Sequence, residues 1–84
     1  MMLAKPIKPI DRKFIGYRIA SLRAGEGWSQ EKFGEAYAAG KTVVSKWENG
    51  INIPSMERLK EIANNFNVTV EWLLYGEGEN DGNI

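Results

Sequence analysis

The chain has no cysteine and no histidine, and these two absences remove much of the chemistry open to a small protein. Without cysteine there is neither a disulfide framework nor a thiolate metal site, and a reducing compartment is compatible with the composition. Without histidine, the usual general base and the usual nitrogen ligand for zinc are both missing. No apolar run approaches the length of a membrane span or a signal-peptide core, so a soluble cytoplasmic protein without a membrane partner is expected. Net charge is absent too, with 11 Lys and Arg against 11 Asp and Glu. What is present is 84 residues, 43% of them hydrophobic, with three each of Trp, Tyr and Phe. That suffices for one small domain around one core.

Catalysis would have to rest on carboxylates and lysines. Glu31 and Glu35 lie four apart on one helical face, but nothing around them suggests a cleft, and they read as a solvated surface. Gly40-Lys41-Thr42 imitates the end of a phosphate-binding loop, yet that motif needs a glycine five residues before Gly40, where Glu35 stands, and no strand precedes it. We therefore expect no enzyme, no metal and no cofactor, and no small-molecule ligand is evident.

The zero net charge is unevenly spread. Residues 1–75 hold eleven cations and eight carboxylates, residues 1–50 nine and five, and the last nine residues only the acids Glu77, Glu79 and Asp81. The positive part suits a polyanionic partner.

Taken in order, residues 1–10 carry Pro6 and Pro9 beside Lys5 and Lys8, which predicts a flexible, extended N-terminal arm. Asp11 is a good N-cap for a first helix to about Ala24, buried along Ile15, Ile19 and Leu22 with Phe14 flanking. Gly25-Glu26-Gly27 breaks it. Ser29 caps a second helix reaching Tyr37 or Ala38, with Phe33, Ala36 and Tyr37 inward and Trp28 stapled against Phe33. A third helix lies between Gly40 and Asn49-Gly50. Val43, Val44 and Trp47 fall on one arc of it, and Lys41, Thr42, Ser45, Lys46 and Asn49 on the other, with Glu48 at the apolar edge. That polar arc has no carboxylate and offers cations and short hydrogen-bonding groups, which suit phosphates and base edges.

Ser55 caps a fourth helix with Met56, Leu59, Ile62, Ala63 and Phe66 on its apolar face and Asn67 as a left-handed stop. Thr69 caps a short fifth helix, residues 70–75. Residues 76–84 are rich in Gly, Asn and acid, which predicts a disordered tail. The chain reads all-α, its folded domain spanning residues 11–75. Trp28, Trp47 and Trp72 all read as packing residues. The run Trp72, Leu73, Leu74 and Tyr75 exceeds what so small a core hides and is a candidate dimer interface.

Two short helices joined by a tight turn, the second with a polar outer arc, make a helix-turn-helix candidate. Ser29-Gln30-Glu31-Lys32-Phe33-Gly34, then Val44-Ser45-Lys46-Trp47-Glu48-Asn49-Gly50, then Pro54-Ser55 and Val68-Thr69-Val70-Glu71-Trp72-Leu73-Leu74 together resemble the Cro/lambda-repressor (Xre-like) helix-turn-helix family over roughly residues 12–75. The resemblance implies a compact five-helix bundle whose third helix enters the major groove of double-stranded DNA. It implies that Gln30 holds a phosphate and buttresses the third helix. Lys41, Thr42 and Ser45 take base-reading positions. Lys46, Asn49, the backbone around Gly50 and Asn52 take phosphate positions. It further implies a structural ion pair between Arg23 and Glu48.

Two departures leave the turn open. Ala38 stands where the family has a left-handed glycine, at a cost of about 1 kcal/mol, unless the turn shifts to Gly40 and lengthens the second helix. Gly40 itself is a cap without a side-chain acceptor. The function implied is a transcriptional regulator, of phage or bacterial repressor type, binding a palindromic operator as a homodimer; the alternative on the same fold is an antitoxin or adaptor that binds another protein.

Overall fold

Side-chain caps and left-handed stops decide where each helix begins and ends. The computed structural model describes residues 10–76. They form α1 (Arg12–Gly25), α2 (Gln30–Glu35), α3 (Lys41–Glu48), α4 (Met56–Phe66) and α5 (Val70–Tyr75), with no strand among the described residues. The arm expected at 1–10 and the acidic tail expected at 76–84 lie outside the described residues except for Ile10 and Gly76. Asp11, Ser29, Ser55 and Thr69 each accept a bond from a first-turn backbone N–H, at 3.0, 3.0, 3.2 and 2.9 Å. Such a cap contributes about 1 kcal/mol. Only α3 starts on a residue without a side-chain acceptor, Gly40.

Every helix runs into a residue of positive φ: Gly27, Ala38, Gly50, Asn67 and Gly76. After α3, Gly50 N–H donates to Trp47 O at 3.2 Å and Ile51 N–H to Lys46 O at 2.9 Å, the paired bonds of a Schellman stop. A side chain at Gly50 would meet a φ of +75° and the backbone of Lys13 together. Between the two turns open to the sequence, the chain takes the one at Ala38, with φ 53° and Ala39 N–H donating to Gly34 O at 2.9 Å. Gly40 stays extended as the cap of α3. The shift to Gly40 does not occur, and α2 ends at Glu35, short of the expected Tyr37.

The core comprises Ile15 and Ile19 of α1, Phe33 of α2, Tyr37 of the turn, Val44 and Trp47 of α3, Leu59, Ile62 and Ala63 of α4, and Leu73 of α5. Its tightest crossings need glycine. A Cβ at Gly16 would strike the carbonyl oxygens of Trp47 and Glu48, and one at Gly34 the carbonyl of Ala39. So α1 and α2 both lie directly against α3.

Four residues expected inside are exposed instead. Ala36, the C-cap of α2, is exposed although its backbone angles are still helical. Val43 and Met56 are exposed in the first turns of α3 and α4, Val43 although its neighbour Val44 is fully buried. Trp28 is partly open, and the ring it meets edge-on, at 5.9 Å between centroids, is Phe66 of α4. In the other direction, Leu73 is 0% exposed. It belongs to the core and leaves the set of dimer-interface candidates, because α5 turns that side chain toward the interior. Trp72, Leu74 and Tyr75 remain half-buried.

Candidate nucleic-acid interface

Three groups on α1 and α2 converge on the Glu48 carboxylate near the end of α3. Arg23 Nε donates to Oε2 at 2.6 Å, Arg23 Nη2 to Oε1 at 3.1 Å, and Gln30 Nε2 to Oε1 at 3.0 Å. The remaining Arg23 nitrogen, Nη1, donates to Trp28 O at 2.7 Å. The Glu48 side chain is 7% exposed and that of Arg23 20%. The hydrogen bond that Arg23 donates to Glu48 raises the Arg23 pKa above its ordinary value, against the opposing effect of burial. This fork-to-carboxylate pair fixes α3 to α1 and, through Gln30, to α2. It also takes the only carboxylate of α3 out of the surface.

The opposite arc of α3 is bare. Lys41, Thr42, Lys46 and Asn49 are exposed and Ser45 is half-buried. Among the described residues neither lysine has a carboxylate partner within salt-bridge distance. Val43, which periodicity had assigned to the core, is exposed on the same first turn.

Two expected donors are already committed. The Asn49 amide turns back on its own helix, Nδ2 donating to Ser45 O at 2.8 Å and lying 3.3 Å from Ser45 Oγ. Its nitrogen must face that carbonyl, since an amide oxygen there would be repelled. The backbone around Gly50 is spent as well. The N–H groups of Asn49, Gly50, Ile51 and Asn52 all point back to carbonyls of residues 45–47. These four amides are therefore not free for an anion, and they sit at the negative end of the α3 dipole. Side chains must supply any positive charge at this end of α3.

Two cations do, and the sequence pattern passed over both. Lys13 packs its backbone against Gly50, and Arg12 Nη1 donates to Ile51 O at 3.2 Å. Both are exposed and border the α3–α4 loop together with Asn52, itself exposed. No local signal marks them. They reach the loop because Gly16 lets α1 lie against the end of α3.

Two large aromatic side chains of α1 are exposed, Phe14 at 57% and Tyr17 at 70%. Arg18 joins this surface to α5, its guanidinium 5.8 Å from the Phe14 ring centroid and its Nη1 donating to Leu73 O at 3.0 Å. No helix among the described residues is long and apolar enough to cross a membrane.

Comparison with known proteins agrees with this architecture. Residues 19–73 match the model of a helix-turn-helix family. The HTH-type transcriptional activator BcrR of Enterococcus faecalis is 42% identical over 60 residues, which cover 71% of this chain but only 29% of that protein. The chain thus spans less than a third of that relative. Among solved structures, the P22 c2 repressor in complex with a synthetic operator superposes with a TM-score of 0.70 at 23% identity, covering 76% of this chain and 97% of that one. The S. venezulae BldD DNA-binding domain gives 0.63 at 27% identity, covering 76% and 96%. With its five helices, its αL turn between α2 and α3 and this family match, the chain belongs to the Xre-like helix-turn-helix family of DNA-binding transcription regulators.

Proposed function

We propose that this chain binds double-stranded DNA sequence-specifically, with α3 in the major groove of a roughly palindromic operator, and regulates transcription as a homodimer in the cytoplasm. The observation that carries this reading is the outer arc of α3. It is exposed and cationic, and its one carboxylate is turned inward onto Arg23. Lys41, Thr42 and Ser45 face the base edges, where a lysine suits guanine O6 and N7 and a threonine methyl suits the thymine methyl. Lys46 and Asn52 face phosphates, joined by Lys13 and Arg12. Gln30 acts chiefly as the brace of Glu48, and Asn49 must leave Ser45 before it can reach a phosphate. Partner contact falls on Trp72, Leu74 and Tyr75, with Phe14 and Tyr17 extending the surface.

The direction of regulation depends on where an operator lies relative to a promoter. The family resemblance suggested a repressor, whereas the relative at 42% identity is named an activator. Nothing on the outer arc of α3 favours one over the other.

The exposed Phe14 and Tyr17 support a second reading, an adaptor or antitoxin whose partner is another protein. Selection of bound sites from a random DNA pool, followed by a salt titration on the winner, separates the two. DNA reading predicts one enriched motif with two-fold symmetry and a log–log salt slope of about −0.9 per phosphate neutralised. No enrichment and a flat salt response would leave the protein-partner reading standing.

A further inference from the structure

We propose that the cleft between the C-terminal ends of α1, α2 and α4 binds a small organic cation that carries a hydrogen-bonding oxygen, an amino alcohol in chemical class. The cleft has a volume of about 450 Å³ and is walled by Glu26, Trp28, Tyr37, Asn65, Phe66 and Asn67. That volume lies in the range of small-molecule sites.

Three features select the ligand's charge. No lysine or arginine lines the cleft, while the acidic residue Glu26 does. Glu26 caps the end of α1, Ala36 that of α2 and Asn67 that of α4, so the negative ends of three helix dipoles meet at one place. The aromatic walls add to this. Trp28 and Phe66 stand edge to face at 5.9 Å, and Tyr37 completes the wall. Ring faces carry the negative part of the aromatic quadrupole and attract cations, quaternary ammonium groups among them.

Tyr37 selects the oxygen. It is only 3% exposed, and its hydroxyl accepts from Asn65 Nδ2 at 3.0 Å. Among the described residues nothing accepts the hydroxyl's own hydrogen. A ligand hydroxyl or ether oxygen in the cleft supplies that acceptor, so a cation with an oxygen two or three bonds away fits better than a bare alkylammonium.

The site involves none of the residues assigned to DNA and stands or falls independently of that reading. Choline and its uncharged carbon analogue 3,3-dimethylbutan-1-ol have the same shape and differ in charge, so they are the probes. Each is titrated into the ¹⁵N-labelled protein at constant ionic strength, following the Trp28 indole N–H and the backbone amides of Tyr37 and Asn67. Choline is expected to shift these signals saturably, leaving Lys41–Asn49 unmoved, and to bind at least about fivefold more tightly than the neutral analogue. Glu26→Gln, on an exposed residue outside the core, should weaken choline about two- to fivefold with the circular dichroism spectrum unchanged. Equal binding of the two probes, or no saturable shift with choline, would overturn the proposal.

Discussion

Gln30 and Arg23 share the Glu48 carboxylate, at 3.0 Å from Gln30 Nε2 and 2.6 Å from Arg23 Nε. The two donors come from different helices, so one buried acid sets the angle of α3 against both of its neighbours. Removing the arginine strands a carboxylate that is 7% exposed, whereas removing the acid strands a guanidinium that is 20% exposed and can rehydrate. Arg23→Ala should therefore cost about 3 kcal/mol and Glu48→Gln about 1.5 kcal/mol in urea denaturation. Equal costs would mean that the pair is less buried than described.

Ala38 holds φ at 53° in the turn between α2 and α3, a conformation in which a Cβ crowds the following carbonyl. Ala38→Gly should raise stability by about 1 kcal/mol and Tm by about 4 °C. Gly50→Ala should do the opposite, since its φ of +75° coincides with contact against the Lys13 backbone. Thermal melts of the two variants check both signs.

Tyr37 has its pKa raised above the ordinary 10.0, first by burial, with the Asn65 hydrogen bond opposing and the Glu61 charge adding. Its unfolded-state pKa is the lower of the two, so its stabilising contribution is complete below about pH 10. That contribution is lost as pH rises through the folded value. Lysines titrate in the same range, so the difference between the parent and Tyr37→Phe is what reports the effect. Stability measured from pH 8 to 11 should fall more steeply for the parent.

On DNA, Lys46→Ala should weaken binding to every sequence alike and reduce the magnitude of the salt slope by about 0.9, the value for one phosphate contact. Lys13→Ala should do the same. Thr42→Ala should change the preferred base and leave the slope unchanged. Fluorescence anisotropy over a salt series, on the selected site and on one-base variants, distinguishes these outcomes.

Adjacent leucines on α5 should behave differently. Leu73→Ala should destabilise the monomer by about 3 kcal/mol, because the side chain is 0% exposed. Leu74→Ser should instead shift the monomer–dimer equilibrium measured by sedimentation.

Apart from the end of α2, which stops at Glu35 rather than at Tyr37 or Ala38, the helix boundaries were legible because their causes are local. Asp11, Ser29, Ser55 and Thr69 cap within three residues, and Gly50 and Asn67 stop within one turn. The apolar arcs were only partly legible. Periodicity says which side chains share a face, but whether Val43 or Met56 reaches the core depends on where another helix crosses. The outer face of α3 was readable from its lack of carboxylate. Hidden from sequence were the turn-back of Asn49 onto Ser45, the expenditure of the loop amides, and the arrival of Arg12 and Lys13 beside Ile51 and Gly50. Each of these is decided by three-dimensional accounting of donors and acceptors, or by contacts between segments far apart in the chain.

The Schellman stop at Gly50 and the extended Gly40 isolate α3 at both ends, and only Val44, Trp47 and Glu48 anchor it inward. Lys41, Thr42, Ser45 and Lys46 can then be exchanged as an interchangeable cassette with little disturbance to the frame. Chimeras carrying foreign outer-arc residues between the two glycines should keep the parent's melting behaviour while acquiring the donor's target preference.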